Sequence, residues 1–421
     1  MIDHQAATTT ERVPAALGAE RKASAPGGQR AARGLRVLVL NERCHENPLA
    51  GGVEVGFFIR YGQLARHGLE VELLCSGFPG AAATDVHEGV RITRLGNRLS
   101  YYAKVPGEVR RRVRAGAADV VVEELCKVPF LSPLYAGVPV LGVHHHLHGL
   151  TAFRQVRPWI AAAAVGLEAL IPWVYRHVPI ISVSRSSKTD LVRRGLPEEH
   201  VSVVPNGLDH ELLKATSIED REPLIVALGR LEPYKRLDLL LRAMARVLAA
   251  VPQARLLILG RGQDEARLRS LAARLHLAEC VRFAGYVSER EKARWLQRAA
   301  LLVQCSRKEG WGLTVTEAYA CGTPVVATDS PGLSDSVQDG VTGLLVRRAR
   351  PQPLAAAITH LLQDDAERSR LGRAALDWSR NFRWEPFATA IECSVRRLAA
   401  QAAQPILVDL SIAQANAEVV A

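Results

Sequence analysis

Glu309 and Glu317, with seven residues between them, bracket the stretch Gly310-Trp311-Gly312-Leu313-Thr314. Carboxylates accept hydrogen bonds from neighbouring hydroxyls, and glycines between them let a ligand approach the backbone. Thr314 with Glu317 three positions on has the form of a capping box. The small and apolar residues up to Cys321, stopped by Gly322-Thr323-Pro324, predict a helix that begins near Gly312. Its first turn, at Gly312, Leu313 and Thr314, offers unpaired N–H groups and the positive end of the helix dipole. A diphosphate fits there, with a ribose at Glu317 one turn in and the hydroxyls of a sugar beyond the phosphates at Glu309. Taken alone, Glu317 as a cap and Glu309 as a solvated loop residue is the commoner outcome. The rest of the chain outweighs it.

Upstream, Pro223 to Leu228 reads as an apolar strand, and Leu237 to Leu248 as a strongly periodic helix. Gly229-Arg230-Leu231-Glu232-Pro233-Tyr234-Lys235-Arg236 joins them. In an open parallel sheet ligands sit at the carboxyl ends of strands, so Arg230 and Lys235 are expected to face the same crevice as the Glu309 loop. A rigid guanidinium fork and a mobile ammonium suit a diphosphate and the charge that develops as it departs.

The order of these motifs carries a resemblance. Pro205-Asn206-Gly207-Leu208-Asp209, Gly229-Arg230 with Lys235, Phe283-Ala284-Gly285-Tyr286-Val287, Glu309-Gly310-Trp311-Gly312 through Glu317-Ala318, and Gly322-Thr323-Pro324-Val325-Val326-Ala327 follow one another. The chain resembles family 4 of the retaining glycosyltransferases over residues 35–395. That implies an α/β protein of the GT-B type, two Rossmann-like domains with parallel sheets facing a central cleft. It also implies a donor that is a nucleoside-diphosphate sugar, with no cofactor besides. In the family a glycine pair after the first strand approaches donor phosphate and acceptor, and Gly51 and Gly52 match it. Two features depart from the family: Asp335 stands where a glutamate is usual, and Pro331 where a glycine is common, so the loop is expected to hold the donor differently.

Val138 to Val143 reads as a strand ending in His144-His145-His146-Leu147-His148. The resemblance makes His145 the residue that lines the donor-sugar pocket, with His146 second. A metal is the competing reading, because imidazole is a common ligand. Along a continuing strand, however, His144 and His146 share one face and His145 points the other way. No Asp-x-Asp or Cys-x-x-Cys stands near, so no metal site is expected. The absence of Gly-x-Gly-x-x-Gly after Leu40 or Leu259 disfavours a dehydrogenase.

The elements that must position these residues follow from 421 residues, 48% apolar, with alternating strand and helix signals. Leu35 to Leu40 reads as a buried strand, and Val53 to His67, closed by Gly68, as an amphipathic helix. The domain plan is a tail over 1–34, an acceptor-side domain over 35–200, a linker over 201–221 and a donor-side domain over 222–380. A helix over 381–400 crosses back to the first domain, and a second tail covers 401–421. Seven scattered cysteines without ligand spacing point to reduced thiols in a cytoplasmic protein, and the Ala- and Arg-heavy composition fits a GC-rich bacterial genome.

A net charge of +11 fits a surface that meets anions. There is no nucleic-acid motif, and none of that class of partner is expected. Arg110, Arg111, Arg112 and Arg114 read as a solvated helical face, without an apolar face opposite to favour a membrane. Trp159 to Tyr175, carrying Glu168 and Pro172, is short for a membrane span and reads as a core or cleft-lining helix. The resemblance, with the motif residues that carry it, implies a retaining, metal-independent hexosyltransferase. Its catalytic groups are His145, Arg230, Lys235 and Glu309, and its donor is held by Gly51, Gly52, Gly312, Leu313, Thr314 and Glu317. The acceptor is a small molecule, saccharide or lipid, with a soluble one preferred and membrane attachment disfavoured. The alternatives on the same fold are a nucleotide-sugar epimerase or hydrolase, and a catalytically silent nucleotide-sugar-binding protein.

Overall fold

The computed structural model describes residues 34–126, 128–154, 156–219 and 221–404, so most of both expected tails lies outside the described residues. Apolar, β-branched runs build two sheets. The first consists of β1 (Arg36–Leu40), β2 (Glu70–Ser76), β3 (Thr84–His87), β4 (Val90–Leu95), β5 (Val120–Leu125), β6 (Val140–His144), β7 (Ile180–Ser182) and β8 (Val201–Val203). Its order is β3-β4-β2-β1-β5-β6-β7-β8, parallel throughout except for the β3-β4 hairpin. The second is all parallel: β9 (Glu222–Leu228), β10 (Arg255–Leu259), β11 (Val281–Gly285), β12 (Ala299–Gln304), β13 (Val325–Thr328) and β14 (Gly343–Val346), in the order β11-β10-β9-β12-β13-β14.

In each sheet the order reverses beside the first strand, at β1/β5 and at β9/β12. The loops that leave these strands part in opposite directions and open a crevice at their carboxyl ends. Helices α1 (Gly52–Arg66), α2 (Arg98–Arg114), α3 (Pro158–Ala169), α4 (Ile171–Val174) and α5 (Arg185–Arg193) belong to the first sheet. Around the second run α6 (Leu237–Ala250), α7 (Glu265–Arg274), α8 (Glu289–Arg298), α9 (Leu313–Ala320), α10 (Leu333–Ser336), α11 (Pro351–Gln363) and α12 (Asp365–Ser379). In α6, Leu237, Leu240, Leu241, Met244 and Val247 recur every three or four residues, and all are buried.

The last helix, α13 (Trp384–Ala403), buries Trp384, Phe387, Ala388, Ile391 and Val395 and packs on α1 of the first domain. Gly56 of α1 leaves the space the Trp384 ring occupies. The helix runs through 401–403, which the sequence reading gave to the tail; Ala402 and Ala403 continue it without a breaker.

The α2 cluster lies on the surface as expected, with Arg110, Arg111 and Arg114 exposed, and it also makes local contacts: Arg111 and Arg112 share Glu108, Arg112 also reaches Glu72 at 2.8 Å, and Arg110 lies over the Tyr135 ring. One expectation about the surface comes out differently. The stretch from Trp159 to Tyr175 is not a core helix. Only one side of it is buried, and Trp159 and Trp173 are 64% and 72% exposed. The small residues Ala161 and Ala164 let α3 lie close to the domain, with Glu168 buried and Trp159 turned outward.

Candidate active site

Three loops converge between the two sheets: the one from β1 to Gly51, the one from β9 through Arg236, and the one from β12 to Gly312. Gly312 takes the left-handed conformation, φ +94°, which a residue with a β-carbon rarely adopts. It turns the chain so that α9 starts at Leu313. The expected capping box is therefore not formed. Thr314 lies inside the first turn, where its hydroxyl accepts from Gln304 Nε2 at 2.6 Å, and no side chain caps the helix. Opposite stands the first residue of α1. A β-carbon on Gly52 would lie 2.8 Å from Leu313 Cδ1, so two helix N-termini face each other at close range. The Gly51 amide donates to Glu54 Oε2 at 2.8 Å, which starts α1.

Lys235 and Glu309 are a contact pair, Nζ to Oε1 2.6 Å, with side chains only 12% and 15% exposed. Burial acts against the ammonium, but the neighbouring Glu309 carboxylate more than offsets it, and the pKa of Lys235 is raised. Arg230, five residues before, is exposed, with Nη2 3.5 Å from the Tyr234 hydroxyl. The surrounding cleft partly desolvates its charge, but Tyr234, Glu232 and, from α1, Glu54 support it, and its pKa is raised.

Glu317 has a partner the sequence reading did not name. Lys292 of α8 sits 2.8 Å from its Oε1 and also holds Glu289. Burial pushes the Glu317 carboxyl up, and Lys292 works against that. The lysine thus keeps Glu317 an acceptor for hydroxyl donors. Lys292→Ala is expected to weaken donor binding about tenfold, roughly 1.4 kcal/mol. With burial unopposed, the pKa of Glu317 rises further, so donor affinity is lost at a higher pH than in the wild type as pH falls. Titration calorimetry with donor nucleotide across pH 5 to 8 measures both effects.

In the histidine run, β6 ends at His144, which is fully buried and whose pKa burial lowers to about 3. The His145 ring turns back into the first domain, Nε2 2.5 Å from Glu124 Oε2. Its carbonyl faces the other way, where Ser187 Oγ donates both to it, at 3.0 Å, and to the Gly310 carbonyl, at 3.3 Å. His146 stands beside Gly310, where a β-carbon would meet its Nδ1 at 3.5 Å. Among the described residues, no three His, Cys, Asp or Glu side chains gather as metal ligands.

Beneath His145 lies a buried node. Glu124 accepts from the Tyr61 hydroxyl at 2.7 Å and Arg60 Nη2 at 3.2 Å besides His145. Burial alone would raise its pKa, but Arg60, His145 and Tyr61 together bring it down to about 2. Arg60, itself fully buried, lies under the rings of Trp384 and Phe387 at 5.5 and 4.8 Å. The sequence held a signal for this node: two adjacent acids, Glu123 and Glu124, at the end of an otherwise apolar strand must find partners once buried.

Further bonds cross between the sheets at α5. The Ser186 amide donates to the Asp335 carboxylate at 3.2 and 3.3 Å, the Gly332 amide donates to Ser186 Oγ at 2.9 Å, and Lys308 pairs with Asp190 at 2.9 Å. Asp335, the departure noted in the sequence, here ties the donor-side loop to the first domain.

Comparison with known proteins gives the same outline. Residues 50–212 match the profile described as Glycosyltransferase Family 4, and residues 209–378 the one described as Glycosyl transferases group 1. The chain is similar to a D-inositol 3-phosphate glycosyltransferase of Frankia alni, 32% identical over 63% of this chain and 70% of that protein. It is also similar to one of a Nocardioides species, 29% identical over 80% and 79%. In shape it is similar to the sucrose-phosphate synthase of Thermosynechococcus elongatus, with a TM-score of 0.72 and 23% identity over 87% of this chain and all of that one. The Anabaena protein HepE, solved with UDP and glucose, gives 0.68 and 19% over 86% and 100%. At such identities these structures speak to the fold.

Proposed function

Because this chain belongs to the family 4, group 1 glycosyl transferases and is a nucleotide-sugar-dependent glycosyltransferase, we propose that it transfers its sugar with retention of configuration and without a metal ion. The observation that carries this reading is the Lys235–Glu309 pair beside the facing N-termini of α1 and α9. Lys235, Arg230 and the amides of Leu313 and Thr314 supply the positive charge that a departing nucleoside diphosphate needs. Gly51 and Gly52 allow the phosphates to approach α1. Glu317, held by Lys292, takes the ribose hydroxyls, and Glu309 takes hydroxyls of the transferred sugar. Glu309 lies between Lys235 and the sugar, so it couples leaving-group charge to sugar position. His146 lines the sugar from the first-domain side, and His145, whose ring is turned onto Glu124, positions it by holding the end of β6.

The acceptor hydroxyl attacks from the face the diphosphate leaves. The C–O bond to phosphate breaks ahead of bond formation, and a phosphate oxygen takes the acceptor's proton. No side-chain nucleophile enters this scheme. The relatives named for D-inositol 3-phosphate support a phosphorylated hydroxyl acceptor for this chain, and its seven cysteines, scattered and without ligand spacing, support a cytoplasmic setting.

A thermal-shift screen of UDP, GDP, ADP and TDP identifies the nucleotide, since the bound one raises the unfolding temperature by mass action. With the matching sugar donor, transfer is expected to proceed at full rate in EDTA and to give a product with the donor's anomeric configuration by proton NMR. Loss of activity in EDTA that Mn2+ or Mg2+ restores, or an inverted product, overturns the corresponding half of the proposal.

A further inference from the structure

The segment from Pro158 to Val174 turns an uncharged, apolar surface to the solvent. Ala161, Ala164, Glu168 and Ile171 are its buried positions, while Trp159, Ala162, Ala163, Gly166, Leu170 and Trp173 are exposed. Phe153, 44% exposed, extends this face on the 3-10 turn Gly149–Arg154, which packs against α3. A helix face of this kind gains nothing from water, and contiguous apolar surface on a folded domain marks a contact site.

Along the segment itself the exposed charges are one-sided, although the exposed Glu198 and Glu199 precede His200, which bonds the Arg176 carbonyl. Between Arg157 and Arg176 the only ionisable side chains are those of Glu168 and Tyr175, both fully buried. Glu168 accepts from the His148 and Gly149 amides and lies 3.6 Å from Arg194. Arg157 and Arg176 are exposed, and each stands two or three residues outside an exposed tryptophan. Apolar surface bordered by indoles, with guanidinium groups at both ends, is complementary to the boundary between acyl chains and anionic headgroups. The twelve residues of α3 cover about 18 Å, too short to cross a bilayer, and no described helix is long and apolar enough to do so.

We propose that α3, α4 and the turn before them dock on an anionic membrane surface. The helices lie in the plane of the interface, with Trp159 and Trp173 among the headgroups and Arg157 and Arg176 on lipid phosphates. The turn Gly149–Arg154 also meets the turn Pro233–Lys235 that carries Lys235, so the docked face borders the candidate active site. If the active-site reading above holds, an acceptor hydroxyl carried by a lipid headgroup is within the enzyme's reach. This reverses the preference for a soluble acceptor: the apolar face looked for opposite the α2 arginines is on a different element.

The full chain is tested by co-sedimentation with vesicles of phosphatidylglycerol and phosphatidylcholine, against pure phosphatidylcholine, at about 0.15 M salt. At least tenfold stronger binding to the anionic vesicles is expected, together with quenching of wild-type tryptophan emission by brominated acyl chains. The double variant Trp159→Ser/Trp173→Ser is expected to lose tenfold or more of that binding with its response to donor nucleotide unchanged, and Arg157→Gln/Arg176→Gln to flatten the salt dependence. Nucleotide binding is a readout independent of docking, so failure of the docking proposal and failure of the donor-site assignment are separable. Equal binding to both vesicle types, or no quenching by brominated lipid, overturns docking whether or not the variants fold. So does binding that survives the tryptophan changes but disappears when Arg110, Arg111, Arg112 and Arg114 become glutamine. A wild-type dimer that the tryptophan changes dissolve, without vesicle binding, makes the face an interface between copies instead.

Discussion

Lys235→Ala is expected to lower kcat/KM for transfer a hundredfold to a thousandfold, about 3 to 4 kcal/mol, while leaving the fold intact. Two effects act in the same direction. The ammonium that would meet the departing diphosphate is gone, and Glu309, which it contacts at 2.6 Å, becomes an unpaired carboxylate in a site made for anions. The second effect is separable. In Lys235→Ala/Glu309→Gln the stranded charge is removed, so the double variant should bind donor nucleotide better than Lys235→Ala alone, while transfer stays low for want of the cation. A thermodynamic cycle of the four proteins isolates the coupling. Turnover near wild type in Lys235→Ala would remove the diphosphate from this corner of the cleft.

Glu124→Ala should be the most damaging single substitution for stability, by about 3 to 5 kcal/mol, because it leaves the fully buried Arg60 guanidinium without its counter-ion. The remaining ring contacts of Arg60 cannot replace an ion pair. The pH dependence has a definite sign. The Glu124 carboxyl is held down to about 2, below its ordinary value of 4.5. Its stabilising effect is therefore complete above about pH 4.5 and is lost as pH falls towards 2. Glu124→Gln, which keeps the shape without the charge, should lack that part of the acid dependence. Replacing both partners, as in Arg60→Met/Glu124→Leu, should be less harmful than Glu124→Ala. Urea unfolding from pH 3 to 7 compares them, and a Glu124→Ala protein as stable as the wild type would show that the node carries no net stability.

The parts of this protein legible in its sequence are those governed by local rules. Strand β9, the loop to Arg236 and helix α6 are visible because an apolar run, a breaker and a three-to-four-residue period follow one another within about 30 residues. Gly312 announces the start of α9. The chain does not announce that the left-handed turn there moves Thr314 inside the helix and dissolves the capping box. Pairings over long separations are hidden for the same reason. Nothing local to Glu317 points to Lys292, and nothing local to His145 points to Glu124; such partners are chosen by the packing of α8 on α9 and by the register of β5 beside β6. The segment Trp159 to Tyr175 fails differently. Apolar composition says that a surface is to be covered, and a core and a lipid headgroup layer are written with the same residues.

The packing of α13 on α1 has a consequence for the order in which the chain can mature. The first domain is translated early, but its buried Arg60 is roofed by Trp384 and Phe387, and the notch at Gly56 receives Trp384. Until that helix emerges from the ribosome, a charged side chain and the notch at Gly56 lack their cover. The nascent domain stays incomplete until a segment made more than 300 residues after Arg60 arrives. A chain cut short before Trp384 would lose its first-made domain along with its last helix.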